Sequence, residues 1–245
     1  MNLALPKNKL INRYLGKANV FLTVCTHRTI NIDVMGQIMS LAKNSKHNFT
    51  WMPSIGDALL SRSRSRAASH FLLNSDADIL MFCDDDILFT FKDSDKLIDD
   101  IMDGCDIVSG TYVQKGVLGK TWVQFNDQIV KFGKNEKPVE VEAVPTGFLA
   151  IHRRVLDGLS KTIPLCHPGT LNFYPFFCPY PAEKNGKWVL LGEDWAFCDL
   201  ARKNGFKVFI DPSILLRHVG EYAYDMADSL RLPKPRLEDI EMTLK

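Results

Sequence analysis

The stretch ILMFCDDDILF, Ile79 to Phe89, sets three consecutive aspartates between two strongly apolar runs. Like charges repel, and a buried carboxylate is costly unless it is paired or bound to a cation. Two carboxylates one residue apart on an extended segment point the same way. Asp84 and Asp86 are therefore expected on one side, with Asp85 opposite. Oxygen ligands of this kind suit Mg2+ or Mn2+, which keep coordination positions open for phosphate oxygens. The competing structural reading is a solvated strand end whose aspartates cap a turn.

Three more groups bear on the same chemistry. In LLSRSRSRAASHFL the Arg-Ser run sits inside a helical pattern flanked by leucines, so it reads as a helix rather than a low-complexity RNA-binding segment. Leu60, Arg64, Ala67 and Phe71 then share one stripe. Arg64 on an apolar face needs a carboxylate or phosphate partner. Arg62 and Arg66 fall on another face, either solvated or facing a ligand. GEDWAFCDLARKNG reads as a helix whose apolar face is Phe197, Leu200 and Ala201. Glu193 and Asp194 lie in its first turn, where the helix dipole alone favours acids by about 0.3–1 kcal/mol each. His218 follows SILLR near an apolar strand, a place where a histidine is usually structural. His27, His47, His70, His152 and His167 read as surface or loop residues. No G-x-G-x-x-G or Walker loop occurs, so a glycine nest for phosphate is not indicated. No Ser-His-Asp or Cys-His arrangement has recognisable local sequence either.

These groups must be held by a fold, and the chain has enough length for one. It has 245 residues, 46% hydrophobic and 24% charged, as in a globular protein that buries a core. A net charge of +1 gives no global field toward nucleic acid or an anionic membrane. The six cysteines are scattered without a C-x-x-C pair and read as small buried hydrophobes in a reducing compartment. The N-terminus is too polar and broken for a signal peptide, and no apolar run reaches the roughly 18 residues of a membrane span. A soluble, cytoplasmic protein is expected.

Strand-like and helical patterns alternate through the first half. NVFLTVCT, FTWMPSIGD, DILMFCDDD and DIVSGTYVQ read as strands; IDVMGQIMSLAKNSK, the Arg-Ser segment and DKLIDDIMDG read as helices, the last with Gly104 beyond its end. Such alternation implies a parallel sheet with helices on both faces, and ligands bind beyond the carboxyl ends of its strands. The aspartates lie at such an end. In the second half TWVQFNDQIVKFG predicts a hairpin around Asn126-Asp127, and PVEVEAVPTGFLAIHRRVLDGL is extended and then helical. The segment from Pro164 to Trp188 has no period and predicts a long loop. FKVFID and SILLRHVG read as late strands, and the polar tail from Glu221 is expected to wrap the surface.

With RSR at 62–64, FCDDDILF, DIVSGTY, PTGFLAIHRR, GEDWAFC and GFKVFIDPSILLRHVG in this order, the chain resembles a GT-A-type glycosyltransferase. It is most similar to the small soluble transferases of bacteriophages and large DNA viruses, from about Asn19 to Gly220. The resemblance implies an α/β, Rossmann-like, mostly parallel central sheet flanked by helices, with a small antiparallel second part. It implies a single domain over 1–245: a nucleotide-sugar half at about 19–115, an acceptor half at about 116–220, and a tail at 221–245.

The same resemblance implies an NDP-sugar donor and Mn2+ or Mg2+, with Asp86 bridged to the diphosphate through the metal. Asp84 would contact the ribose or the metal, Asp85 would fill the variable middle position, and His218 would complete the metal shell. Thr26, His27 and Arg28 would hold base and ribose, with Arg62, Arg64 and Gly147 also on the donor side. Asp194 would be the general base and Glu193 would bind the acceptor. An inverting transfer is favoured and a retaining one stays open. The expected acceptor is a glycan or small-molecule hydroxyl, with the aromatic Pro164–Trp188 segment as a stacking surface. A modified DNA base is the alternative, disfavoured by the few lysines there (Lys161, Lys184, Lys187). If the chain is viral, its place is the host cytoplasm. A nucleotidyltransferase would carry a glycine-rich basic loop after its first strand, which TVCTHRTINID lacks. An inactive glycan-binding module would not need intact Asp84, Asp86 and Asp194.

Overall fold

The computed structural model describes residues 16–115, residues 137–220 apart from 168, 170 and 185, residues 223–225, and the single positions 123, 130, 132 and 133. The strands are β1 (Asn19–Thr26), β2 (Asn48–Trp51), β3 (Ser54–Ile55), β4 (Ile79–Asp84), β5 (Ile87–Leu88), β6 (Ile107–Thr111), β7 (Val139–Glu140), β8 (Phe148–His152), β9 (Tyr180–Lys184), β10 (Lys187–Leu191), β11 (Val208–Leu215), β12 (Arg217–Val219) and β13 (Ala223–Tyr224). The helices are α1 (Ile32–Asn44), α2 (Leu60–Asn74), α3 (Phe91–Met102), α4 (Arg153–Leu159) and α5 (Glu193–Lys203).

Eight strands form one sheet in the order β2-β1-β4-β8-β6-β11-β7, with β3 also beside β1. β2, β3 and β4 run parallel to β1, and β11 runs parallel to β6. β8 lies antiparallel between β4 and β6, and β7 is antiparallel to β11 at the edge. The mostly parallel α/β arrangement implied by the sequence is therefore present. Its continuous apolar strands follow from cover on both faces. Alternation along β4 sends Leu80 and Phe82 into a core with Phe71, Val155, Phe177 and Phe197, under α2, α4 and α5. Met81 and Cys83 enter the opposite core with Val34, Ile38, Leu97 and Ile98, under α1 and α3.

Local sequence explains the helix starts. Asn31 caps α1 by accepting from the Asp33 N–H, and Thr90 with Asp93 forms a reciprocal capping box on α3. Gly104 follows α3 with φ 119°, as its place beyond the helix end required. α2 begins without a capping side chain, but Asp57 Oδ1 accepts from the Leu59 N–H just before it.

Several expectations are corrected. FTWMPSIG is two strands, because Pro53 has no N–H to donate to the β1 ladder. The expected loop ends in a hairpin: β9 pairs antiparallel with β10 around Gly186, φ 72°. The dipeptide Asn185-Gly186 was the sequence signal for it. His47 is buried rather than a surface residue, with Nδ1 accepting from the Ala18 N–H. In α2 the stripe buries Arg64, Ala67 and Phe71 but leaves Leu60 exposed. The hairpin expected around Asn126-Asp127 lies outside the described residues. So does most of the tail, of which β13 pairs with β12. Among the described residues no helix is long and apolar enough to cross a membrane.

Candidate active site

The chain leaves β1 to build β2 on one side, then returns to build β4 on the other. Such a switch point opens a crevice at the carboxyl ends of the strands. A cleft of about 250 Å3 lies there, lined by Thr26 and His27 at the end of β1, Asp57 and Ser63 around the start of α2, and Asp84, Asp85 and Asp86. Arg28 follows His27 into solvent. All three aspartates border this cleft, which corrects the expectation that Asp85 points away. The strand ends at Asp84 and Asp85-Asp86 is a turn, so alternation stops before it can separate them.

Each aspartate has a different partner. Arg64, 3% exposed, donates from one terminal nitrogen to both oxygens of Asp84 at 2.8 and 2.9 Å, and from the other to Glu193 Oε1 at 2.7 Å. Burial works against the guanidinium charge, but Asp84 and Glu193 outweigh it and hold Arg64 cationic. The carboxylate partner demanded by the apolar stripe is thus two carboxylates, and the bridge ties the end of β4 to the first turn of α5.

Asp85 Oδ2 lies 2.6 Å from Thr26 Oγ1, which is also 2.6 Å from the Thr29 carbonyl. A hydroxyl has one proton, so the Thr26 hydroxyl divides it between the carboxylate and the carbonyl. Burial, with the neighbouring Asp86 and Asp84, does raise the Asp85 carboxyl.

Asp86 Oδ2 takes Lys115 Nζ at 2.5 Å and faces His218 Nε2 at 3.4 Å. Burial alone would raise this carboxyl, but His218 and Lys115 bring it below its ordinary value. His218 is placed by pairing: β12 lies antiparallel to β5, with His218 opposite Ile87, and the Val219 N–H donates to the Asp86 carbonyl at 2.7 Å. His218 Nδ1 donates to the Val113 carbonyl at 2.9 Å. That bond leaves Nε2 as the ring nitrogen facing Asp86, beside the oxygen that Lys115 also approaches.

Asp194 Oδ1 accepts from the Trp195 N–H at 2.8 Å, serving the helix whose cap, Gly192, has no side chain to do so. Burial and then Glu193 raise its carboxyl above the ordinary range. Gly147 lies beside Asp84: its carbonyl accepts from the Asp84 N–H and its N–H donates to Tyr112 Oη at 3.0 Å. A Cβ here would stand 2.3 Å from Tyr112 Oη and 3.1 Å from Asp84 Oδ2, so only glycine fits. Cys25 also lines the cleft, but burial pushes its thiol up to about 11, which rules out a ready thiolate.

The solved structure of A197 from STIV superposes with a TM-score of 0.55 and 18% identity, covering 86% of this chain and 91% of that one. This likeness shows a shared fold. S. aureus TarS 1-349 aligns at a TM-score of 0.39 and 12% identity, over 84% of this chain and 59% of that one. The 4-diphosphocytidyl-2C-methyl-D-erythritolsynthase from Anaerococcus prevotii aligns at 0.34 and 8%, over 60% and 76%. Both likenesses are too slight to bear on activity. No family model matches the chain, and no curated protein matches it in sequence.

Of the residues singled out in the sequence, the fold brings Thr26, His27, Arg64, Asp84, Asp85, Asp86, Gly147, Glu193 and His218 into one connected site, and Asp194 is next to Glu193. Arg62 is held in a fork on Asp57 at 2.6 and 2.8 Å, at the cleft edge. Glu193, expected toward an acceptor, is on Arg64. Asp84 is engaged by the same arginine rather than joined to Asp86 and His218. Lys115, Tyr112 and Asp57 were missed. Asp57 carried a signal, an acid just ahead of a helix with Arg62 and Arg66; Lys115 and Tyr112 carried none.

Proposed function

We propose that the protein is a metal-dependent glycosyltransferase that moves a sugar from an NDP-sugar to an acceptor hydroxyl with inversion. The observation that carries this reading is the Asp86–His218 pair at the switch-point cleft, with His218 oriented by the Val113 carbonyl. The donor set, one carboxylate and one imidazole, fits Mg2+ or Mn2+. Among the described residues no three His, Cys, Asp or Glu side chains converge, so further coordination would fall to the diphosphate oxygens. The cleft supports this from the other direction. Asp57, Asp84, Asp85 and Asp86 all border it, and the cations there are already engaged, Arg62 on Asp57, Arg64 on Asp84 and Lys115 on Asp86, so a divalent cation would supply the further positive charge that a diphosphate brings a need for. When bound, the metal would compensate the charge that develops on the leaving diphosphate.

The chain's own residues do the rest. Thr26 and His27 line the cleft where base and ribose would lie. Arg64 fixes Asp84 and, through Glu193, the start of α5. Asp194, with its carboxyl raised, is suited to take a proton from the acceptor hydroxyl near neutral pH. The oxygen then attacks the anomeric carbon as its bond to the diphosphate breaks. The acceptor favoured is a glycan or small-molecule hydroxyl. Trp188 on β10, just before α5, is 74% exposed and offers a free aromatic face, whereas Phe176 and Phe177 anchor the preceding loop in the core. Phe177 stacks on Phe197 at 4.4 Å.

The test is a panel of UDP-, GDP- and dTDP-sugars scored for hydrolysis with Mn2+ and with EDTA. One donor should be consumed in Mn2+ alone, and Asp86→Ala should stop it. Full turnover in EDTA would overturn the metal reading; consumption of no donor would count against sugar transfer.

A further inference from the structure

The Asp86–His218 pair already holds a cation supplied by the chain. Lys115 Nζ sits 2.5 Å from Asp86 Oδ2, the oxygen that His218 Nε2 also faces. Lys115 lies beyond the end of β6, four residues past Thr111, and its side chain is 38% exposed. The ammonium is thus neither locked in the core nor free in solvent. It reaches Asp86, at the border of the cleft, from a segment outside the central sheet. Arg64, by contrast, is buried and fixed on two carboxylates, so it cannot be released cheaply.

An ammonium and a divalent cation on one carboxylate oxygen repel each other at close range. A cation that binds Oδ2 between Asp86 and His218 therefore competes with Lys115 for that oxygen. The displaced ammonium is then a compact point charge on a flexible four-carbon stem, beside the place where a diphosphate would arrive. We propose that Lys115 is the resident counter-cation of the metal site: it neutralises Asp86 in the donor-free protein, competes with the divalent cation there, and passes onto the diphosphate when metal and donor bind. This rests on the metal-site reading above. It adds an ordering to that reading: without donor, the metal binds weakly because it must first break the Lys115–Asp86 pair. With donor, the released charge is used on the phosphate oxygens, so metal and donor favour one another.

The experiment measures Mn2+ binding without donor, from the free-ion electron paramagnetic resonance signal, and pyrophosphate binding at saturating Mn2+ by calorimetry. The proteins are the wild type, Lys115→Met, Lys115→Arg and Asp86→Ala, with thermal unfolding as a check on folding. Lys115→Met should bind Mn2+ at least tenfold more tightly than the wild type and pyrophosphate at least tenfold more weakly. Lys115→Arg, which keeps the charge, should stay near the wild type on both. A residue that merely supports the fold would move both affinities in one direction. If Lys115→Met leaves Mn2+ affinity unchanged or weaker while Asp86→Ala abolishes it, the counter-cation proposal fails and the metal site stands. If Asp86→Ala binds Mn2+ as the wild type does, or neither the wild type nor Lys115→Met binds it, the metal site itself fails.

Discussion

Replacing Arg64 with lysine tests the central bridge. The guanidinium makes three hydrogen bonds of 2.7 to 2.9 Å to two carboxylates that come from separate elements, β4 and α5. An ammonium on a shorter stem can serve one of them. The other loses a charge-assisted hydrogen bond, a loss of about 1.5–3 kcal/mol. It is also left as a largely buried, unpaired acid. Removing one partner of a fully buried pair costs about 3–5 kcal/mol, but Asp84 and Glu193 each keep a quarter of their side-chain surface in water, which lowers that cost. About 2–4 kcal/mol in total is expected, and at 2–4 °C per kcal/mol for a chain of this size Tm should fall by about 4–16 °C. Thermal unfolding followed by circular dichroism measures it. The double variant with Glu193→Gln should cost less than the sum of the two single changes, because both act on one contact. A Tm for Arg64→Lys within about 2 °C of the wild type would refute the bridge as a structural tie.

Three further outcomes are expected. Asp194→Asn should lower transfer by about 10²–10⁴-fold while pyrophosphate binding holds; in the wild type, kcat/KM should fall as pH drops through a limb above the ordinary aspartate value of about 3.9, and a limb at or below it would refute the raised carboxyl. Gly147→Ala should cost about 1–3 kcal/mol from the forced contact with Tyr112, and adding Tyr112→Phe should recover part of it; a urea midpoint equal to the wild type would refute the tight contact. Asp100, buried beside Asp211 and Lys96, has its carboxyl pushed up to about 7 by burial, so it takes up a proton on folding. That stabilisation is fully present below the unfolded value and lost as pH rises through about 7, so wild-type Tm should fall between pH 4 and 8 more than that of Asp100→Asn; parallel slopes would refute it.

The fold was legible where one periodicity ran long enough to speak alone. The apolar runs of β1 and β4 read as buried strands because both faces are covered, and α5 read as a helix from its apolar face and acidic first turn. What failed was short or changed period midway. Alternation was carried past Asp84, where the chain had already turned, so Asp85 was assigned to the wrong side. The β9–β10 hairpin was hidden by prolines and aromatics that resemble a loop, although Asn185-Gly186 marked its turn. Within the site, Arg64 was legible because a charge on an apolar stripe demands a partner, and that demand is local. Lys115 was not, because nothing near it requires an acid; only the pairing of β5 with β12 creates the place it enters. His47 was missed for the same reason, its partners being Ala18, just before β1, and Asp99 in α3.

Three adjacent aspartates at a buried strand end would be an electrostatic fault if they shared one environment. They do not. Asp84 is still in the strand, and its carboxylate is neutralised by an arginine that no pH change will discharge. Asp85 starts the turn, where burial and its two neighbouring acids raise its carboxyl although the Thr26 hydroxyl works against them. Asp86 ends the turn and faces a histidine and a lysine, which hold its carboxyl below the ordinary value. One fixed ion pair, one raised acid and one lowered acid come from three identical residues because the chain turns between them. The repulsion that the sequence implies is removed by separating their partners rather than their positions. Only Asp86 is paired with a side chain more than a third exposed, so of the three it is the one whose partner the proposed cation would compete with.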